Sequence, residues 1–142
     1  MKFGVCSAIE NIFKAESMGF DYLETNASKL AGLSEEEFQK QIETVKSAGI
    51  PCECFNVLFP KSMAVIGLHG NWEKIEEYLE LVFSRMERLG GKIAVFGSGK
   101  CRSCPEEISF AEGSRQLAEA VRRTGKIAAK HGITIVIEPL NQ

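Results

Sequence analysis

The chain has 142 residues with 44% hydrophobic and 25% charged side chains, a balance that suits one globular domain with a sizeable core. A net charge of −2 carries no electrostatic footprint for nucleic acid or an anionic membrane, and no apolar run reaches the roughly 18 residues of a membrane-spanning helix. The first residues, Met1 to Cys6, are too short in apolar run for a signal peptide, and five cysteines without disulfide-dense spacing fit the reducing cytoplasm.

Lys2 to Cys6 reads as a short buried strand, followed by a helix from Ser7 to Met18 that Gly19 ends. Phe20 to Glu24 is a second strand. Ser34 and Glu37 have the spacing of a capping box, and Phe38, Ile42 and Val45 recur at helical spacing until Gly49, read as a left-handed stop. Pro51 to Leu58 is the third strand. The connection from Lys61 to Gly70 carries Met63, Val65, Ile66 and Leu68, so it is expected to fold over something rather than lie on the surface. Asn71 caps a long helix with Ile75, Leu79, Val82 and Met86 on one face, ended by Gly90 and Gly91. Lys92 to Phe96 is a fourth strand leading into Gly97-Ser98-Gly99. Ser109 and Glu112 repeat the capping-box spacing before a helix from about Phe110 to His131, expected to turn Leu117, Val121, Gly125 and Ala128 inward. Gly132 ends it, and Ile133 to Ile137 form the fifth strand.

The order is βαβαβαβαβ, an α/β domain over residues 1–142 with a parallel sheet, five strands and four helices. Right-handed crossovers put all helices on one side if the sheet curls into a barrel, and on both if it is flat and doubly wound. Spacing alone leaves both architectures open.

Parallel strands point the same way, so the groups at their carboxyl ends share one rim, where α/β proteins place their chemistry. Those groups are Cys6 and Ser7, Glu24 and Asn26, Asn56, Ser98, and then Glu138 and Asn141. Glu138 stands apart from the others. Pro139 has no amide hydrogen to extend a ladder and biases Glu138 towards extended backbone. A carboxylate taken out of water beside a strand needs a cation or strong donors, which points to metal ligation or proton transfer; the competing reading is a structural ion pair. Gly97-Ser98-Gly99 lacks the longer glycine patterns of nucleotide sites and reads as a sharp turn. Arg102 and Lys100 beside it are candidates for contact with an anionic or polyhydroxylated ligand. His69, on the apolar connection, is a further rim candidate, whereas His131 reads as a cap on a helix dipole.

Cys101 and Cys104 form a CxxC, and Cys52 and Cys54 a CxC. Alternate residues of a strand share a face, so the CxC reads as two small core hydrophobes rather than half of a zinc site. A redox CxxC wants a helix amino terminus directly behind it, and the later cap at Ser109 argues against one.

Three segments form an ordered set: Phe55-Asn56-Val57-Leu58-Phe59-Pro60, then Val95-Phe96-Gly97-Ser98-Gly99 with Arg102 and Pro105 behind it, and finally Ile137-Glu138-Pro139-Leu140-Asn141. Together they resemble the xylose-isomerase-like sugar isomerase and epimerase family, which includes tagatose and psicose 3-epimerases and hydroxypyruvate isomerases. The resemblance runs from the first strand to the fifth. It implies part of a (β/α)₈ TIM barrel with helices on the outer face. It also implies that Glu138 is both a ligand of a divalent metal (Mn²⁺, Mg²⁺ or Co²⁺) and a catalytic carboxylate. The chemistry implied is proton transfer beside the carbonyl of a keto sugar or small hydroxy-carbonyl compound; the rim candidates read from the strand ends and loops, Cys6, Glu24, Asn56, His69, Arg102 and Asn141, are the residues expected against that sugar-like ligand. The family's remaining metal ligands and second catalytic glutamate lie on strands six to eight, which have no counterpart in these residues. The resemblance therefore implies a chain inactive by itself and unable to hold the metal tightly, either lacking a C-terminal half or forming a homo-oligomer. An alternative is a non-catalytic half-barrel that pairs through its open edges and binds a small molecule. A nuclease of the abasic-site type fits the acidic balance less well. Gln142 stands where the family often has arginine, and Cys101 and Cys104 match no family feature.

Overall fold

The structure, a computed structural model, describes residues 1–67 and 71–139. Strands β1 (Gly4–Cys6), β2 (Tyr22–Asn26), β3 (Cys52–Asn56), β4 (Ile93–Phe96) and β5 (Thr134–Ile137) pair in parallel, in the order β1-β2-β3-β4-β5. The α-helices are α1 (Ile12–Ser17), α2 (Ala27–Leu30), α3 (Glu35–Ser47), α4 (Trp72–Arg88) and α5 (Phe110–Lys130).

Register settles the architecture. Leu23, Phe55, Ala94 and Phe96 share one face of the sheet and lie in a single core with Ile12 of α1, Phe38 and Ile42 of α3, Leu79 and Val82 of α4, and Ala120 and Ile127 of α5. The helices are thus all on that face, and the strand order never reverses. A doubly wound sheet needs a reversal and helices on both faces; an arc of a (β/α) barrel needs neither. At the two edges of the arc large apolar side chains meet solvent: Phe3 just before β1, and Val136 and Ile137 on β5, 38% and 55% exposed.

Several local expectations hold in detail. Ser34 and Glu37 make both bonds of the capping box. The whole expected face of α4, Ile75, Leu79, Val82 and Met86, is buried, together with Phe83. The apolar connection after β3 does fold inward, with Val65 and Ile66 buried and the Val65 amide donating to the Cys101 carbonyl at 2.8 Å. Leu68 lies outside the described residues.

Other expectations are corrected. The first helix is split into a 3₁₀ turn (Ile9–Asn11) and α1, because Ser7 spends its hydroxyl on Asn11 Nδ2 (2.9 Å) and Ala8 caps without a side-chain bond. α2 makes a fifth helix; four residues show no periodicity, but Asn26 caps it by accepting from the Lys29 amide at 3.2 Å. Gly49 is not left-handed: α3 ends at an extended Ala48 (φ −86°, ψ 151°), and Gly49 instead gives room to the Glu16 carboxylate, which a Cβ there would strike. Left-handed stops occur at Gly19 (φ 83°), Gly90 (φ 85°) and Gly132 (φ 66°). Ser109 accepts from the Glu112 amide, but the Glu112 carboxylate turns to Arg115 and Gln116 rather than closing the second box.

The buried stripe of α5 is Gly113, Ala120, Thr124, Ile127 and Ala128, with Leu117 and Val121 only at its margin. Ala128 is fully buried as expected, Leu117 and Val121 pack against the core while staying partly exposed, and Gly125 is only partly buried, with nothing within 4 Å of where a Cβ would stand. No helix among the described residues is long and apolar enough to cross a membrane.

At the end of α5, His131 lies against Phe83 with Nδ1 2.8 Å from Glu87 and Nε2 3.0 Å from Glu80. Burial lowers its pKa, but the hydrogen bonds to Glu87 and Glu80 outweigh burial, and the net shift is upward. The stabilisation is therefore complete below the ordinary histidine value of about 6.5 and is lost as pH rises through the raised native value. Urea titrations across that window should show stability falling in the wild type and a flatter profile in His131→Gln. Thr124 is fully buried, and its Oγ1 has no hydrogen-bond partner among the described residues. Thr124→Val, of the same shape, is expected to raise unfolding free energy by about 1 kcal/mol, read by denaturant midpoint.

Candidate functional site at the carboxyl rim

The face of the sheet away from the helices carries the side chains that matter for chemistry. Register aligns Gly4 with Tyr22, Cys6 with Glu24 and then Cys54, and Asn26 with Asn56. Gly4 is required by space: a Cβ there would sit in the ring of Tyr22. On β4 and β5 the same face holds Ile93 with Thr134, and Val95 with Val136. One side of the lumen is therefore polar and the other largely apolar.

A register shift between Leu23 and Glu24 inserts one extra residue into β3. Cys52 pairs with Leu23 and joins the helix-side core, whereas Cys54 pairs with Glu24 on the lumen side. The bulge breaks the alternation that would have placed both cysteines on one face. Burial, followed by the neighbouring Cys54, pushes the Cys52 thiol up to about 12. Cys54 is raised by burial and then by the Glu24 and Glu53 charges, and Tyr22 by burial and then by Cys54, Glu24 and Glu53. These groups are neutral proton holders at neutral pH, not thiolates or phenolates.

At the rim, Asn56 joins two other residues singled out in the sequence, Cys6 and Glu24. Its Nδ2 donates to Glu24 Oε1 at 2.8 Å and to Cys6 Sγ at 2.9 Å. Directly after it, Val57 has φ 46°, a left-handed conformation that is strained for a β-branched residue. A cleft of about 480 Å³ opens here, bounded by Cys6, Ser7, Asn26, Gln41, Asn56 and Val57. Asn26, while bounding this cleft, also caps α2 with its side-chain oxygen, and Ser98 Oγ accepts from the Phe59 amide at 3.3 Å, which serves the connection after β3.

Glu138 follows β5 and is exposed; among the described residues nothing desolvates it in the way the sequence argument required. Its amide reaches the Phe96 carbonyl at only 3.5 Å, while its carbonyl accepts from an Arg102 guanidinium nitrogen at 2.6 Å. Its carboxylate lies on Gly97, where a Cβ would meet Oε2 and stand 3.1 Å from Cδ. His69 and Asn141 lie outside the described residues. Among the described residues no three of His, Cys, Asp and Glu come together as a metal site. Glu138 alone does not hold a hard divalent cation against water, so the donor set does not fit the implied metal. In the CxxC, Cys101 is buried, donates to the Ser98 carbonyl at 2.8 Å and is pushed by burial up to about 11, while Cys104 is exposed; all five cysteines are free.

An arc of parallel strands with every helix outside defines part of a (β/α) barrel, a fold that places its sites at the carboxyl rim where these polar groups gather. The chain belongs to the xylose isomerase-like TIM barrel family, whose sequence model matches residues 12–142. No curated protein sequence matches significantly. Among solved structures it is similar to a D-psicose 3-epimerase crystallised in the presence of D-fructose (TM-score 0.81, 20% identity, covering 100% of this chain and 53% of that one). It is similar also to the 3-keto-D-glucoside 4-epimerase of E. coli (TM-score 0.75, 18% identity, 99% and 57%). A third is the IolI protein with a binding zinc atom (TM-score 0.73, 16% identity, 96% and 51%). The chain thus spans about half the length of these structures, and at such identities the likeness is one of fold.

Gly97→Ala should leave thermal stability within roughly 0.5 kcal/mol, because the clash falls on the tip of an exposed side chain, yet displace the Glu138 carboxylate. The Glu138 side-chain carboxyl resonance in a ¹³C spectrum checks this; an unmoved resonance would refute the packing.

Proposed function

We propose that this rim is part of a sugar isomerase or epimerase site that moves a proton beside the carbonyl of a keto sugar or small hydroxy-carbonyl compound. The observation that carries the reading is the bridged trio Cys6, Glu24 and Asn56, on the same face of the sheet as the apolar Ile93, Val95 and Val136. A sugar has hydroxyls on its edges and C–H groups on its faces, so it needs such a divided surface. Asn56 orients Glu24 as an acceptor for substrate hydroxyls, and the thiol of Cys6 packs beside it. Glu138, exposed on a glycine floor, is the carboxylate suited to take and return the proton. The sugar epimerases among the solved neighbours support the same substrate class.

The five strands match five of the eight in a TIM barrel, and the solved neighbours are about twice as long. The complete catalyst therefore includes three further βα units, which would close the arc, desolvate Glu138 and bring the other groups of the reaction. A divalent metal (Mn²⁺, Mg²⁺ or Co²⁺) belongs to that complete barrel, with Glu138 as this chain's contribution to its ligands.

The competing reading, a non-catalytic half-barrel that pairs through its edges, draws on the exposed Phe3, Val136 and Ile137. Strand number disfavours a second copy as the closing partner, because two such arcs carry ten strands, two more than the barrel takes. A stable dimer by sedimentation would restore that reading.

Ketohexose added to the labelled chain should shift the resonances of Cys6, Glu24 and Asn56, and Asn56→Ala should abolish the shift. In the barrel completed by its remaining strands, Glu138→Gln should slow deuterium exchange at the carbon beside the carbonyl by about 10²-fold or more. Silent rim resonances, or an unchanged exchange rate in the Gln variant, would sink the proposal.

A further inference from the structure

The sequence marks Arg102 as a residue for the ligand, but the structure gives its guanidinium another partner, the main-chain carbonyl of Glu138 at 2.6 Å. Among the described residues β5 pairs with β4 alone. The ladder bond available there, from the Glu138 amide to Phe96, is stretched to 3.5 Å. The guanidinium bond is the shorter and charge-assisted one, and it fixes the peptide that carries Glu138.

The base from which Arg102 reaches is itself fixed on several sides. Lys100–Arg102 form a 3₁₀ turn whose middle residue, Cys101, is buried, with Sγ donating to the Ser98 carbonyl at 2.8 Å. The Cys101 carbonyl accepts from the Val65 amide at 2.8 Å, and Ser98 Oγ accepts from the Phe59 amide. Two connections, after β3 and after β4, thus brace one arginine.

The choice of acceptor has a chemical consequence. Arg102 bonds the backbone of Glu138 and makes no ion pair with its carboxylate, which among the described residues has no salt bridge within 4.0 Å. The carboxylate rests on Gly97, and no hydrogen bond to its oxygens is made among the described residues. A cation paired to the carboxylate itself would compete with any substrate proton; one paired to the backbone holds the group without occupying it.

We propose that Arg102 is a positioning residue for Glu138, clamping the end of β5 through the main chain so that the carboxylate stands over Gly97 and faces the rim. This rests on the role proposed above for Glu138, but the link is readable without turnover.

The test is NMR on the labelled 142-residue chain. In Arg102→Met the carbonyl carbon of Glu138 should lose its hydrogen-bonded shift, and exchange of the Glu138 amide should quicken roughly tenfold, the loss expected for one charge-assisted hydrogen bond. The ladder amides earlier in β5 and the melting temperature should stay as in the wild type. Arg102→Lys, which keeps a cationic donor on a stem of similar reach, should recover most of the protection. An unchanged Glu138 signal in Arg102→Met overturns the proposal. So does a uniform loss of protection across β5, which would make Arg102 a general strut. Absence of isomerase or epimerase chemistry in the completed barrel would remove the function proposed for Glu138 while leaving this result readable.

Discussion

The rim depends on one packed seam. Leu23, Phe55, Ala94 and Phe96 are at most 1% exposed, sealed between the sheet and its helices. Burying each large apolar side chain contributes roughly 1.5–3 kcal/mol, and a slip of one residue in any strand would turn that contribution out to water. The seam therefore locks the register, and the register decides which side chains are left for the lumen. Arg85 reinforces it from the helix side. Almost fully buried in α4, it donates to the carbonyls of Leu30 and of Leu33 (2.9 Å) and stacks over Phe38 at 4.9 Å, tying the connection after β2 to the outer layer.

With the helix side fixed, the opposite face takes the alternating residues, and on β2 and β3 it departs from the branched aliphatic filling usual in such barrels, which Ile93, Val95 and Val136 keep on β4 and β5. Tyr22, Glu24, Cys54 and Asn56 are poor core residues but good binding groups. They are tolerated because this face of the arc is partly open and because Asn56 satisfies Glu24. The bulge in β3 is the device that allows it: without the extra residue, Cys52 and Cys54 would share a face and the core would lose one of them.

The sequence made much of this legible, for reasons visible in particular residues. Helical periodicity around Ile75, Leu79, Val82 and Met86 and the box at Ser34 and Glu37 are local signals, and both are found as expected. Cys6, Glu24 and Asn56 could be chosen as rim residues because parallel strands all end on one side. That one amide would join them could not be read, since the bond crosses 32 and 50 residues of chain. Gly97 looked like a turn residue; its use as a floor for Glu138 depends on how two neighbouring strands end. Arg102 was recognisable as special but not as a backbone clamp. On α5 the expected inward residues Leu117, Val121 and Ala128 do meet the core, but the most buried positions, Ala120, Thr124 and Ile127, lie beside them on the helix.

By itself, then, the sequence determined the alternation of strands and helices, the parallel sheet and the set of polar groups at strand ends, because spacing, caps and periodicity act over a few residues. That the sheet curls with its helices outside was implied by the family resemblance and is found so, whereas only the tertiary structure decided that β3 carries a bulge dividing its two cysteines and that Arg102 takes the carbonyl rather than the carboxylate of Glu138. Each of those is a contact between segments far apart in the chain, set by packing and hydrogen-bond geometry that no local pattern contains.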